Sequence, residues 1–424
     1  MRPIKYLPIA IGISFTFLLF TLTGKAASLL IPMDGVQKDH LKSYGIAFWV
    51  LKNGDEVDWL LNYRGGSFMT KYDKKLETEC KVRGVSYEVL PDAQVSEIIT
   101  QINDPSVNMD IVKLEKAPRM AVYAPADKGT LEDAVILVLN YAEIPFDLIY
   151  DEQILKGDLP KYDWLHLHHE DFTGQFSKFN GGFNMDWYRK DMQEENATAR
   201  KWGFQKVSKM KLAVAQRIRD FCAGGGFLFA MCSGADSFDI ALAAANTDIC
   251  DEIYDGDPPD PAAQSKLDFS QTIAFKNFTI ETDPYFLRFS DIDVGKSRRR
   301  DPTTDFFTLF DFSAKWDVVP SMLTQNHERV IKGFMGLATS FDENKLKPGV
   351  TIMGERKINN EAKYIHGEFG KGQWTFYGGH DPEDYQHTPN EPPTDLALHP
   401  NSPGYRLILN NVLFPAARKK KQKT

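Results

Sequence analysis

The pattern that most invites chemistry in this chain is a cysteine placed directly after a run of apolar residues, with small residues behind it. The segment is Gly224-Gly-Gly-Phe-Leu-Phe-Ala-Met-Cys-Ser-Gly-Ala-Asp236. Residues 227–231 read as a fully buried strand, and a helix is expected from about Ser237. Such a strand–turn–helix raises Cys232 at the carboxyl end of a sheet, on a strained turn. The helix N-terminus carries partial positive charge and favours thiolate over thiol. Gly234 supplies the small residue that close strand–helix packing needs, and backbone N–H groups around Ser233 would form an oxyanion hole. Further along, Gly370-Lys-Gly-Gln-Trp-Thr-Phe-Tyr-Gly-Gly-His380 brings a histidine to the end of another strand. Thiolate and imidazole together make the nucleophile–base pair of acyl transfer, with Asp381 or Glu383 to orient the ring. A buried, inert cysteine on the same turn is the competing reading, because free cysteine is among the most buried residue types.

A second group sits at Trp164-Leu-His-Leu-His168-His169-Glu170-Asp171. His166 and His168 share one strand face by the period of two. His168, His169, Glu170 and Asp171 fall where open α/β sheets bind ligands, beyond the strand carboxyl ends, and are expected to line a cleft. His166, His168 and His169, joined by His380, could hold a divalent ion, but the spacing matches no strong metal motif. No cofactor is expected. The acidic stretch 251–260 lacks the spacing of a calcium loop and reads as solvated. Cys80, Cys222, Cys232 and Cys250 could pair as disulfides in an oxidising compartment, and any bridge to Cys232 would silence it.

The elements that must position these groups follow from periodicity. From residue 117 to about 415, strand and helix patterns alternate. Strands are expected at 119–123, 146–150, 164–168, 227–231, 350–353, 363–366 and 373–377. Helices are expected at 130–141, about 205–222, and 405–413. The helix at 205–222 carries Val207, Met210, Val214, Ile218 and Phe221 on one face and ends at Gly224-Gly225-Gly226. This alternation implies a doubly wound, mostly parallel α/β sheet of flavodoxin-like type, with helices on both faces. An insertion at about 247–345 breaks the regularity. Residues 28–116 form an N-terminal mixed α/β extension, with strands expected at 45–51, 57–63 and 82–90.

The turn Met231-Cys232-Ser233-Gly234 resembles the nucleophile turn of class I glutamine amidotransferase-like domains, Gly-x-Cys-x-Gly, with Ala230 at the first glycine. Gly370-Lys-Gly ending in Gly379-His380 is similar to the ThuA-like branch of that superfamily. The resemblance covers roughly residues 118–415 and implies a cysteine-dependent hydrolase or amidase. In those enzymes the acid lies two residues after the histidine; here that place is Pro382, so Asp381 or Glu383 would substitute. The segments Leu30-Ile-Pro-Met-Asp34 and Leu61-Asn-Tyr-Arg-Gly-Gly-Ser-Phe68 resemble exported bacterial proteins often labelled asparagine synthetase B. Ser233-Gly-Ala-Asp-Ser237 is similar to the Ser-Gly-Gly-x-Asp-Ser ATP-pyrophosphatase loop, one residue short. ATP-dependent amide synthesis is disfavoured, because the shortened loop would misplace the N–H groups that cradle phosphate. A non-catalytic module binding a saccharide or peptide in the same cleft is the other alternative, with Trp187, Trp374 and Tyr377 as candidate stacking surfaces.

Composition bounds the partners. The 424 residues carry a net charge of −8, which disfavours nucleic acid. Arg298-Arg299-Arg300 and the basic tail at 416–424, with Lys419-Lys420-Lys421, read as solvated surface. A small-molecule, saccharide or peptide ligand is expected instead. Arg2 and Lys5 precede an apolar run at 9–22, then Gly24, Ala26, Ala27 and Ser28. The run is shorter than the roughly 20 residues of a spanning helix, so residues 1–27 read as a signal peptide. The expected location is the periplasm or cell envelope, with a membrane tether only if that segment stays uncleaved.

Overall fold

Two sheets divide the chain in a computed structural model that describes residues 26–125, 133–179, 184–295, 301–386 and 391–418. The expected signal segment, the arginine triplet and the lysine tail lie almost wholly outside these residues. No described helix is long and apolar enough to cross a membrane.

The first sheet comprises β1 (Ala26–Ile31), β2 (Val57–Leu61), β3 (Ser67–Lys71), β4 (Glu88–Pro91) and β5 (Asp110–Leu114), in the order β4-β1-β3-β2-β5, all antiparallel. Alternate residues serve its two faces. Leu30, Leu60 and Met69 pack under α3 (Asp92–Asn103), whereas Leu29, Ile31, Trp59 and Phe68 face α1 (His40–Lys52) and α2 (Lys74–Arg83). The strand expected at 45–51 is therefore a helix. Its apolar run is continuous because α1 lies between this sheet and the main body, and periodicity cannot separate such a helix from a buried strand. Asp39 caps its start by accepting from the Lys42 amide. Gly45 is where α1 passes closest to the Ala142 carbonyl, with no room for a Cβ. The segment at 82–90 is likewise split: α2 ends at Arg83 with Gly84 as left-handed cap, and β4 begins only at Glu88.

The second sheet holds ten strands: β6 (Met120–Tyr123), β7 (Asp147–Ile149), β8 (Trp164–Leu167), β9 (Phe227–Met231), β10 (Phe306–Leu309), β11 (Val330–Lys332), β12 (Phe341–Asp342), β13 (Thr351–Arg356), β14 (Glu361–Phe369) and β15 (Gly372–Tyr377). The run β7-β6-β8-β9-β15 is parallel, and β14, β13, β10 and β11 extend it antiparallel, with β12 on β14. The expected mostly parallel sheet thus holds for one half; the insertion supplies β10, β11 and β12 to the other. Both faces of the parallel half are buried, which explains its unbroken apolar strands. Met120, Val122, Trp164, Phe229 and Met231 pack toward α4 (Ala134–Tyr141) and α12 (Pro403–Leu413). Ala121, Tyr123, Leu165, Leu167, Leu228 and Ala230 pack toward α5 (Asp151–Lys156), α7 (Val207–Gly224) and α8 (Ser233–Ala243). Between α5 and α7 lies α6 (Asp186–Lys201); the insertion also holds short helices α9 (Glu252–Asp255), α10 (Ala263–Lys266) and α11 (Val318–Leu323).

Candidate functional site

Where β9 ends, the chain turns so sharply that Cys232 takes φ 50° and ψ −141°, then enters α8 at once rather than at Ser237. A non-glycine residue in that region is strained, and strain of this kind clusters at functional sites. Three contacts hold the turn. The Cys232 N–H donates to the Gly379 carbonyl at 3.0 Å, and the Gly234 N–H donates to the His168 carbonyl at 2.5 Å. The Leu337 N–H points at Cys232 Sγ, 3.3 Å away. A Cβ at Gly234 would collide with the His168 carbonyl oxygen, so glycine is required there. The Gly234 N–H is thereby committed to the fold and is not an oxyanion donor.

β9 and β15 run parallel with Met231 opposite Tyr377, so Cys232 and His380 emerge at the same sheet edge. Both line a cavity of about 570 Å³ together with Tyr123, Asp133, Tyr150 and the four residues 168–171. The strand ends and the insertion build it jointly: Leu287, Met335, Gly336 and Leu337 come from the insertion. Gly336 permits this docking, since a Cβ there would meet the Gly379–His380 peptide.

The imidazoles are ordered by a buried acid. His380 Nδ1 lies 2.9 Å from His168 Nε2, and His168 Nδ1 lies 3.2 Å from Asp133 Oδ1. Asp133 is also the N-cap of α4, accepting from the Val135 and Ile136 amides. Burial raises its pKa, but contact with His168 and His166 outweighs this and holds it well below the usual carboxylate range. His168 is pulled down to about 3, chiefly by burial and against the attraction of Asp133, so it is neutral. An ionised Asp133 can only accept, so His168 carries its proton on Nδ1. Its Nε2 then accepts, and His380 donates from Nδ1.

Asp381 and Glu383, expected beside the His380 ring, are engaged elsewhere. Asp381 accepts from the Glu383 amide and the Thr394 hydroxyl, and Glu383 pairs with His399 at 3.2 Å. His166 is fully buried, its Nδ1 3.2 Å from the Phe229 carbonyl oxygen and its Nε2 3.4 Å from Asp133. Glu170 and Asp171 do reach the cavity. Glu170 accepts from the Tyr150 hydroxyl at 2.8 Å, and Asp171 accepts from Thr173 and from the Ser177 amide. Ser233, Asp236 and Ser237 are buried in the first turn of α8 and offer no open phosphate cradle. Trp187 lines the cavity, but Trp374 and Tyr377 fill the core. The acids of 251–260 include Asp255 and Asp257, which pair with Lys206, and Asp260, which pairs with Lys266.

All four cysteines are unbridged, so no disulfide occupies Cys232. Cys80 and Cys222 lie in separate apolar clusters, and Cys250 donates from Sγ to the Thr173 carbonyl beside Asp248 and Asp255. Burial pushes Cys80 and Cys222 up to about 12 and Cys250 well above the ordinary thiol value.

Sequence reasoning passed over Asp133 and Lys211. Asp133 opens a helix that the expectation began at 130, so it read as an interior residue. Lys211 lies 1% exposed in the middle of α7, ion-paired to Asp151 at 3.0 Å and Glu195 at 3.3 Å, and donates to the Tyr150 hydroxyl. A charge inside an otherwise apolar helical face was the only available sign.

No family model and no curated protein matches the chain. Among solved structures, the cytoplasmic protein STM3548 of Salmonella typhimurium is 11% identical over 71% of this chain and 100% of its own, with a TM-score of 0.35. The cytoplasmic protein STM1381 from Salmonella typhimurium LT2 is 12% identical over 67% of this chain and 84% of its own, at 0.29. A GH42 β-galactosidase, Gan42B, is 12% identical over 62% of this chain and 28% of its own, at 0.28. Likeness of this size assigns neither fold nor activity.

Proposed function

We propose that this chain is an exported, glutamine amidotransferase-like hydrolase that cleaves an amide by attack of Cys232, with His380 as general base. The observation that carries the reading is one cavity lined by both the strained Cys232 and a His380 ring tied through His168 to Asp133. The strand order supports the finer fold. Counting the parallel strands in chain order from β6, the sheet runs 2-1-3-4-5, the flavodoxin-like arrangement, with the cysteine after the fourth strand.

His380 donates from Nδ1 to His168, so its Nε2 carries the basic lone pair. It takes the thiol proton, and the thiolate attacks the amide carbon. Collapse expels the amine, which receives that proton, and leaves a thioester. Water, deprotonated by the same nitrogen, then releases the acid and restores the thiol. Asp133 and His168 are positioning residues: they fix the tautomer and stabilise the imidazolium, the part the sequence reading gave to Asp381 or Glu383. The N-terminus of α8 and the Leu337 N–H stabilise the thiolate, and the Ser233 and Leu337 N–H groups suit the developing oxyanion.

The test is alkylation by iodoacetamide in the presence of a chelator, followed at the Cys232 peptide across pH. Labelling should titrate well below the free-thiol value of about 8.5 and slow in His380→Ala. The other three thiols, held high by burial, should stay silent. If Cys232 reacts only after denaturation, the turn is structural, and the cavity is better read as a ligand site. Its aromatic wall, with Tyr123, Phe176, Trp187 and Tyr188, favours that second reading for a saccharide or peptide.

A further inference from the structure

We infer that His168, His169 and His380 bind a divalent transition ion, zinc above all, with one coordination position open to the cavity. The inference goes beyond the hydrolase reading and does not require Cys232 to be a nucleophile.

Four observations support it. Ligand nitrogens of the three imidazoles all lie within 4.8 Å of one another. The 2.9 Å between His168 Nε2 and His380 Nδ1 is near the spacing of about 3.3 Å expected for two nitrogens on one tetrahedral zinc. Asp133 on His168 Nδ1 is the carboxylate–imidazole contact that orients metal-bound histidines and leaves Nε2 as a lone pair. His169 Nδ1 is buried with no hydrogen-bond partner among the described residues, although its ring lies 5.1 Å from that of His168 and 5.9 Å from that of His380. A modest ring movement brings it into the set.

The charge around the cavity agrees. Asp133, Glu170, Asp171, Asp191 and Glu195 line it, and no Lys or Arg does so among the described residues. Lys211 stands behind Tyr150, engaged by Asp151 and Glu195. Two other groupings fail where this one succeeds. The grouping of Asp133, His166 and His168 depends on His166, which is fully buried and does not line the cavity. Asp248, Cys250 and Asp255 are already bridged by Lys206, through Asp248 and Asp255.

Metal binding has a chemical consequence. The ion takes His380 Nδ1, so the proton there moves to Nε2. That nitrogen turns from acceptor to donor and can no longer deprotonate Cys232. Zinc and thiol activation therefore exclude each other.

The test is calorimetric titration of the full chain with zinc chloride, beside His169→Ala. One equivalent should bind, and affinity should fall about 100-fold or more in the variant, since even outer-shell changes cost 10–100-fold. Cobalt(II) should give d–d absorption without a sulfur-to-metal charge-transfer band. Three results would overturn the inference: no stoichiometric zinc, affinity retained by His169→Ala, or a sulfur band placing the ion on cysteine. Should His169→Ala melt early, zinc stoichiometry and the cobalt spectrum of the unaltered protein decide. Labelling in chelator judges the thiol reading separately, so failure of either leaves the other intact.

Discussion

The antiparallel sheet of β1 to β5 and the parallel half of the larger sheet use strands of the same apolar character, yet they place charge differently. In the first, ion pairs sit outside: Arg64 with Asp34 and Glu88, Lys81 with Glu77, Lys113 with Asp58. In the second, Asp133, Asp151, His166, His168, Lys211, Asp236 and Asp239 are all buried. Strain divides the same way. Left-handed residues in the first region, Asn62 and Arg64, shape the turn after β2. In the second, Cys232 and the run Phe176-Ser177-Lys178 adopt such angles at or beside the cavity. The cause is topological. Parallel strands all finish at one edge, where helix N-termini begin and side chains from distant segments converge. Antiparallel strands finish at alternate edges and gather nothing comparable. Buried charge and the strained Cys232 turn thus gather at the carboxyl edge of the parallel strands.

The sharpest way to break the contrast is to remove a buried charge. Lys211→Met leaves Asp151 and Glu195 without their cation and should cost about 3–5 kcal/mol in urea unfolding. A loss below about 1 kcal/mol, as for an exposed pair, would mean that water reaches this network. A smaller effect should separate two glycines. Gly234→Ala drives a Cβ into the His168 carbonyl and should cost about 1–3 kcal/mol, with slower Cys232 labelling. Gly35→Ala, in the open loop after β1, meets nothing and should stay within about 0.5 kcal/mol. Equal losses at the two positions would dissolve the distinction.

The third effect is acid sensitivity. Burial draws His366, in β14, down to about 4. At the junction of the two regions, burial and the Arg406 charge draw His40 down to about 3 and His327 to about 4. Between the unfolded value near 6.5 and these folded values, the unfolded chain binds more protons, so stability present above pH 6.5 is lost as pH falls. His366→Gln should flatten the fall by on the order of 1 kcal/mol per pH unit, read from urea midpoints between pH 6.5 and 5. An unchanged slope would show that His366 is not kept neutral.

The sequence by itself determined the core strands of the larger sheet, the glycine-ended helix α7 and the turn at Cys232. Each is a local pattern: a short apolar run, a 3.6-residue stripe, a glycine where a close approach forbids Cβ. It also marked His168, His169, Glu170, Asp171 and His380 as residues that would line one cleft, because strand ends announce themselves. Only the tertiary structure decided what local pattern cannot encode. It showed α1 to be a helix, since burial on all sides erases periodicity. It gave half of the larger sheet to antiparallel strands, because the insertion's pairing partners lie far away in sequence. It took Asp381 and Glu383 away from His380 and put His168 and Asp133 there instead. Asp133 and His380 are distant in sequence, and only the parallel pairing of β6, β8, β9 and β15 draws their segments to one edge.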